Sequence, residues 1–328
     1  MLEHEKSVCL VTGGAGYIGS HTVRRLLKDG HQVIILDNLS KSSLVEVDFI
    51  PIVIGDIDDR GLVTRLCVEN RVTSVIHFAG LKNVGESSLF PAAYFKNNVS
   101  ASLGLIETVI AAGVKNFVFS SSCSVVGNPT DLPVNETSEV APESVYAITK
   151  ATVEIILKLC GRLTDFNFVN LRYFNAAGAS LDNSIGEDWD NTQNLIPTAM
   201  KAVLQMGPPL KIYGKDYDTP DGTCIRDYVH VEDLATAHLL ALEYLLNGGE
   251  STTLNLGTGT GTSVGEILET IESITGKTVP HTFTDRRSGD PSIVFADASA
   301  ASDLLSWVPQ YGLDDIIQTA FAWHSKQK

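Results

Sequence analysis

Tyr146 and Lys150 stand four residues apart in the run Tyr-Ala-Ile-Thr-Lys, a spacing that puts both side chains on one face of a helix, one turn apart. An ammonium beside a phenol lowers the pKa of a group that otherwise titrates near about 10. The pair is therefore a candidate proton-transfer base usable near neutral pH. Of the nine tyrosines, only Tyr146 has a lysine four residues later, so this spacing picks out one position in the chain. A surface helix can carry such a pair with no purpose, and the rest of the chain must decide what the base acts with.

A second segment supplies a candidate redox partner. Val11-Thr12-Gly13-Gly14-Ala15-Gly16-Tyr17-Ile18-Gly19 follows an apolar, β-branched run and opens a helical pattern. Glycines at Gly13, Gly16 and Gly19 allow a tight turn, close approach of backbone to a pyrophosphate, and close helix–strand packing. The helix N-terminus then turns free N–H groups and its positive dipole end toward phosphates. Asp37 lies 18 residues beyond Gly19, at the end of the second strand-like run, where an acid accepts the hydroxyls of an adenosine ribose. An acid there repels the additional phosphate of NADP, so the expected cofactor is NAD. Gly55-Asp56-Ile57 and Phe78-Ala79-Gly80 end the third and fourth runs. Asp56 there suits an adenine amino group, and the small residues of the latter let backbone come close to a ligand. Ser120-Ser121-Ser122-Cys123-Ser124 ends the fifth run, where a serine hydroxyl can bond a substrate oxygen while the tyrosine moves its proton. Taken singly, each segment also reads as an ordinary strand-ending turn; their consistent order along the chain joins them.

The elements that must position these residues follow from periodicity. Short continuous apolar runs at Val8–Val11, Gln32–Leu36, Phe49–Val53, Ser74–Phe78, Asn116–Ser120 and Asn167–Tyr173 suit parallel strands covered on both faces. They alternate with helical patterns at Ile18–Lys28, Leu62–Glu69, Ala93–Ala112 and Tyr146–Leu163, which predicts an α/β fold with a Rossmann-like doubly wound parallel sheet. The connection from Asp37 to Asp56 is short, so any crossover helix there is small or absent. After about Ala177 the punctuation by Asn, Asp, Gly and Pro increases, with helical stretches at Leu195–Leu204, Val231–Leu246, Val264–Thr275 and Leu313–His324. The expected organisation is a nucleotide-binding domain over residues 1–176 and a smaller C-terminal α/β substrate-binding domain over 177–328, some segments of which return to the first domain.

Composition excludes several classes. The chain has 328 residues and a net charge of -15, which disfavours both a nucleic-acid backbone and an anionic membrane surface as partners. Five scattered cysteines, odd in number and without a Cys-x-x-Cys pair, fit free thiols in a reducing compartment, so a cytoplasmic protein is expected. No apolar run approaches the roughly 18 residues of a transmembrane helix. His230-Val231-Glu232-Asp233 is a local cluster of histidine and acids; it lacks ligand spacing, and no metal is expected.

Longer phrases carry a resemblance. VTGGAGYIGSH, ILDNLS, VIHFAGLKNVGES, FKNNV, FSSSCSVVG, YAITK, LRYFNAAGA, NLIP, DGTCIRDYVHV, LNLGTG and RRSGDP together resemble the extended short-chain dehydrogenase/reductases, and among them the UDP-glucose 4-epimerase family, over nearly the whole chain. The resemblance implies bound NAD touched by Gly13, Gly16, Tyr17, Ile18, Gly19, Asp37, Asn38, Asp56, Ile57, Phe78, Ala79, Gly80, Lys82, Asn97, Tyr146, Lys150 and Phe174. It implies Ser122 as the catalytic serine beside Tyr146 and Lys150, with Ser124 a secondary candidate. It further implies that Asn175, Asn194, Leu195, Arg226, Arg287 and Asp290, together with Ser122 and Tyr146, hold a UDP-sugar, with Val294 at a gate beside the sugar. The implied activity interconverts UDP-glucose and UDP-galactose through a transient 4-keto sugar, and the implied assembly is a homodimer built on Ala93–Ala112 and Tyr146–Leu163.

The sequence departs from the family pattern at Val126 and Val145, where a tyrosine and a proline are usual, and at Val294, where a residue smaller than tyrosine leaves room for an N-acetyl group. Dehydratases and decarboxylases on the same fold need an acid beside the catalytic serine, and Cys123-Ser124-Val125 provides none. A 4-epimerase of a UDP-uronic acid and a non-catalytic NAD-binding protein are the alternatives; the latter has no need of Tyr146 with Lys150.

Overall fold

A computed structural model describes residues 7–42, 46–188, 193–287 and 290–326. The chain forms two compact units: Met1–Gly127, Pro142–Arg172 and Ala235–Leu254 make the first, and Asn128–Ala141, Tyr173–Leu234 and Asn255–Lys328 make the second.

The first unit is organised on a single sheet. Its strands are β1 (Val8–Thr12), β2 (Gln32–Asp37), β3 (Glu46–Val47), β4 (Ile50–Ile54), β5 (Ser74–His77), β6 (Asn116–Ser120), β7 (Asn167–Tyr173) and β8 (Thr252–Leu256), in spatial order β8-β7-β6-β5-β1-β2-β4-β3. The β1/β2, β2/β4, β1/β5, β5/β6 and β6/β7 pairs are all parallel. From β1 the chain winds to one side through β2 and β4, then returns beside β1 with β5 and proceeds to the other side. The order therefore reverses between β1 and β5, the place where doubly wound sheets bind ligands at the carboxyl ends of their strands. The buried, unalternated patterns of β1 and β5 fit strands covered on both faces. The expected Rossmann-like sheet is present, with boundaries within a residue or so of those read from periodicity.

Four helices position the residues of interest: α1 (Tyr17–Lys28), α2 (Arg60–Glu69), α3 (Ala101–Ala111) and α4 (Val145–Leu163). One face of the sheet carries a core in which Leu105 and Val109 of α3 and Val153 and Leu157 of α4 pack with Phe117 and Phe168. One local feature departs from the periodicity reading and one adds to it. The stretch Ala93–Ala112 is not one α-helix: it comprises Pro91–Tyr94, a π-helical turn Phe95–Ser100, and α3. Asn98 is buried in that turn, and its side chain bonds the backbone of Leu81 outside the helix. Between Asp37 and Asp56 the described residues hold no crossover helix; β3 pairs antiparallel with β4 through a turn at Asp48 and Phe49, both with positive φ.

Among the described residues the second unit contains three small sheets. Ile225–Arg226 pairs antiparallel with Thr262–Ser263 and parallel with Ile293–Val294. Asn175–Ala177 pairs in parallel with Tyr228–His230, and Leu210–Tyr213 with His281–Thr284. Helices Leu195–Val203, Val264–Thr275 and Leu313–Ser325 bury Ile196, Met200, Ile267, Ile271, Ile316 and Ile317 in its core. The cysteines are free thiols, and among the described residues no helix is long and apolar enough to cross a membrane.

Candidate active site

Five strands of the first unit end on the same sheet edge, and each delivers one segment singled out by the sequence. After β1, Gly13 adopts φ +72° and donates its N–H to Leu36 O at 2.9 Å. A Cβ on Gly13 would lie 2.5 Å from the Ala79 backbone nitrogen, and one on Gly19 would collide with Gly13 O. The two glycines let β1, the loop after β5 and α1 come this close. Gly16 is the N-cap of α1 and makes no side-chain cap hydrogen bond, and the first turn carries no acid. The N–H groups at this end are thus presented to an anion, as a pyrophosphate needs. At the end of β2, Asp37 accepts from Ala15 N at 3.1 Å and Leu39 N at 2.9 Å, which holds its carboxylate beside the glycine loop. Asn38 donates to Asp56 at 3.0 Å, joining the ends of β2 and β4, while Ile57 is buried. After β5, Phe78 N and Ala79 N both donate to Thr12 O, which draws Phe78-Ala79-Gly80 against the glycine loop. This cradle fits a dinucleotide: small residues where backbone must approach, N–H groups at a helix N-terminus, and an acid on the adenosine side.

The reacting groups sit farther along the edge. Ser144 caps α4 by accepting Ala147 N at 3.1 Å, which starts the helix one residue before Tyr146. Tyr146 is half-buried and Lys150 is 7% exposed. Lys150 Nζ lies 5.9 Å from the centre of the Tyr146 ring and 4.8 Å from that of Phe119, and it donates to Ser120 O at 2.7 Å. The face expected from the i, i+4 spacing is therefore formed. Burial pulls the Lys150 pKa down to about 8, opposed by the carboxylate of Glu154. Ser122 caps a short 3-10 turn, Cys123–Val126; its Oγ accepts from Ser124 N at 3.2 Å and from the Ser124 hydroxyl at 2.9 Å. With Ser124 donating to it, the Ser122 hydroxyl proton is directed elsewhere, which gives the two serines different parts to play.

Three groups escaped the sequence reading. Asn98 accepts from Leu81 N at 2.8 Å and donates to Leu81 O and to Thr149, tying the loop after β5 to α4 next to Lys150; Asn97 donates to it at 3.0 Å. Buried His77 bridges Thr12 and Ser102 at 2.7 and 2.9 Å, and desolvation, then Lys150, pushes its pKa down to about 3, so it is a neutral strut. Glu154 and Arg172 form a buried ion pair. Polar residues inside otherwise apolar or helical patterns were the available signal for all three. Lys82 is exposed, after the same loop.

The remaining candidates belong to the second unit. Phe174 is buried. Asn175 donates to Asp227 O at 2.9 Å and Asn194, the N-cap of Leu195–Val203, donates to Glu187 at 2.8 Å. Arg226 pairs with Asp290 at 2.6 Å, and the Arg287 guanidinium stacks 3.8 Å above the Tyr213 ring. Val294 is buried in the strand beside Arg226. Arg226 and Val294 are thereby in register on one small sheet, and Asp290, outside the strand, is joined to it through Arg226.

Residues 9–257 match the model of the NAD dependent epimerase/dehydratase family. A UDP-glucose 4-epimerase of Rhizobium leguminosarum bv. trifolii is 44% identical over 317 residues, 97% of each chain. Among solved structures, a UDP-glucose-4-epimerase of Stenotrophomonas maltophila with bound NAD and formylated UDP-arabinopyranose superposes with a TM-score of 0.95 at 41% identity, covering 98% of this chain and 99% of that one. A UDP-Glc/GlcNAc 4-epimerase of Campylobacter jejuni superposes with a TM-score of 0.85 at 39% identity, with the same coverage.

Proposed function

This chain belongs to the NAD dependent epimerase/dehydratase family, and on that footing we propose that it is an isomerase, a 4-epimerase that interconverts UDP-glucose and UDP-galactose. The observation that carries the reading is the Tyr146–Lys150 pair, with Lys150 held by the Ser120 carbonyl, next along the sheet edge from a glycine cradle suited to NAD. NAD, when bound, supplies a reversible acceptor for the C4 hydrogen with its electron pair. Tyr146 takes the proton of the sugar 4-hydroxyl as C4 becomes a ketone and gives it back when the carbon is reduced from its other face. Lys150, cationic below about pH 8, lowers the cost of the phenolate in between. Ser122 donates to the sugar oxygen. The lack of an acid at Cys123-Ser124-Val125 leaves no group to move a second proton, which disfavours elimination.

Arg226 and Arg287 suit the diphosphate, since guanidinium forks match phosphate oxygens, and Asn175, Asn194 and Leu195 would complete the UDP site, with Asp290 orienting Arg226. The sugar must turn over between the two half-reactions, so specificity rests on the nucleotide. Val294 leaves room for an N-acetyl group, and the Campylobacter jejuni relative is described as acting on both sugars, so the N-acetylated pair is included in the proposal. A homodimer is part of the same reading: Ile148, Ile155, Leu159 and Leu163 form an exposed apolar stripe along α4, and Leu103 is exposed on α3. Five free thiols support a reducing, cytoplasmic setting.

The test uses purified protein, UDP-galactose and no added cofactor. Conversion to UDP-glucose on chromatography, with NAD released on denaturation, is the expected result. A Tyr146→Phe protein that turns over at a near-normal rate would sink the assignment.

A further inference from the structure

We propose that Glu154 is a positioning residue for the Tyr146–Lys150 pair, a buried anion that keeps Lys150 cationic and fixes the end of β6 from which Ser122 projects. Glu154 follows Lys150 by one turn of α4, as Lys150 follows Tyr146, and is 2% exposed. It accepts from Arg172 Nε at 2.9 Å and Nη2 at 2.6 Å, and from the Ser121 hydroxyl at 2.6 Å. Three consecutive serines thereby divide the work: the Ser120 carbonyl takes the Lys150 ammonium, the Ser121 hydroxyl is pinned to Glu154, and Ser122 is left for the substrate side.

Stability alone does not account for this pair. A buried salt bridge is commonly no better than apolar residues of the same volume, and the elements that carry the pair also contribute Val153, Leu157 and Phe168 to the apolar core. The guanidinium is also incompletely satisfied, since Arg172 Nη1 is buried with no hydrogen-bond partner among the described residues. Electrostatics supplies the use. Lys150 faces Tyr146 on its own helix, the Phe119 ring of β6, and His77 of β5. His77 is neutral, with both ring nitrogens bonded to hydroxyl groups. That leaves the Glu154 carboxylate, backed by Arg172 of β7, as the charge opposing loss of the Lys150 proton.

The inference rests on the reading of Tyr146 and Lys150 as the proton-transfer pair, and it is tested without turnover. Protein carrying carbon-13 at lysine Cε is titrated by NMR, with the Lys150 signal identified by its loss in Lys150→Met. Glu154→Gln, which keeps an acceptor for Ser121 but removes the charge and leaves Arg172 in place, lowers the Lys150 midpoint by about one pH unit. Arg172→Lys breaks the bidentate pairing, keeps both charges, and leaves the midpoint in place. Should Glu154→Gln fail to fold with Arg172 unpaired, Glu154→Gln with Arg172→Met removes both charges and shows a smaller shift in the same downward direction, since the repulsion from Arg172 goes with it. In the active protein the alkaline limb of turnover moves with the midpoint, a loss of about tenfold near its upper end. Midpoints unchanged in both Glu154 variants, or lowered equally by Arg172→Lys, would overturn the proposal. Absence of epimerase turnover in the wild type would overturn the functional reading alone.

Discussion

Lys150→Met separates what the lysine costs the fold from what it does for chemistry. In the folded protein its pKa falls from 10.5 to about 8 because the ammonium is buried. At about 1.4 kcal/mol per pKa unit, this corresponds to about 3 kcal/mol. The sign follows from proton counting. Below about pH 8 both folded and unfolded chains carry the charge, and the folded state bears the full penalty. Between about 8 and 10.5 only the unfolded chain holds the proton, so stability rises with pH across that window. Above it the penalty is gone. Methionine has no charge to bury, so the variant lacks this rise. It also abandons the hydrogen bond to Ser120 O, a pH-independent loss of about 2 kcal/mol that offsets much of its gain at neutral pH. Urea unfolding of both proteins at half-unit steps from pH 7 to 10.5 yields a difference in stability that moves by about 3 kcal/mol in favour of the wild type. Other titrating groups cancel in that difference. Parallel curves would refute the claim that Lys150 is buried as a cation. Turnover of the variant falls by on the order of 10²-fold or more, as for loss of a positioned proton-transfer group.

Other residues make sharp tests of the same site. Gly13→Ala places a Cβ 2.5 Å from Ala79 N at a φ of +72°, so it should cost about 2 kcal/mol or more from the left-handed strain and the clash together; thermal unfolding and the NAD content of the purified protein both report it. Val294→Tyr should leave UDP-galactose turnover within a few-fold and cut that of UDP-N-acetylglucosamine by at least about tenfold, measured as the ratio of the two kcat/KM values. Turnover of the wild type should decline as pH rises through about 8, where Lys150 loses its proton; a rate that is flat from pH 7 to 10 would contradict the role given to it.

The parallel sheet and its ligand edge were legible because their signals are local. Each apolar run is short and bounded, and each functional segment follows directly on a strand, so chain order alone put Gly13, Asp37, Asp56, Phe78 and Ser122 on one edge. The π-helical turn at Phe95–Ser100 was not legible, since the contact it makes through Asn98 is with the backbone of Leu81, 17 residues away. The antiparallel β3/β4 pairing was hidden for a similar reason: β3 is two residues long and gains its meaning from its neighbour. Glu154 marks the boundary between the two cases. The arithmetic that pairs Tyr146 with Lys150 extends one more turn to Glu154, on the same face of α4, and an acid there invites a question about the charge it meets. The answer, Arg172, lies on a strand whose place in the sheet is set by the β6/β7 register. Helix periodicity thus identifies which residues share a face, whereas the sheet order decides what that face meets. The proton-transfer pair belongs to the first category, and the anion that sustains it belongs to the second.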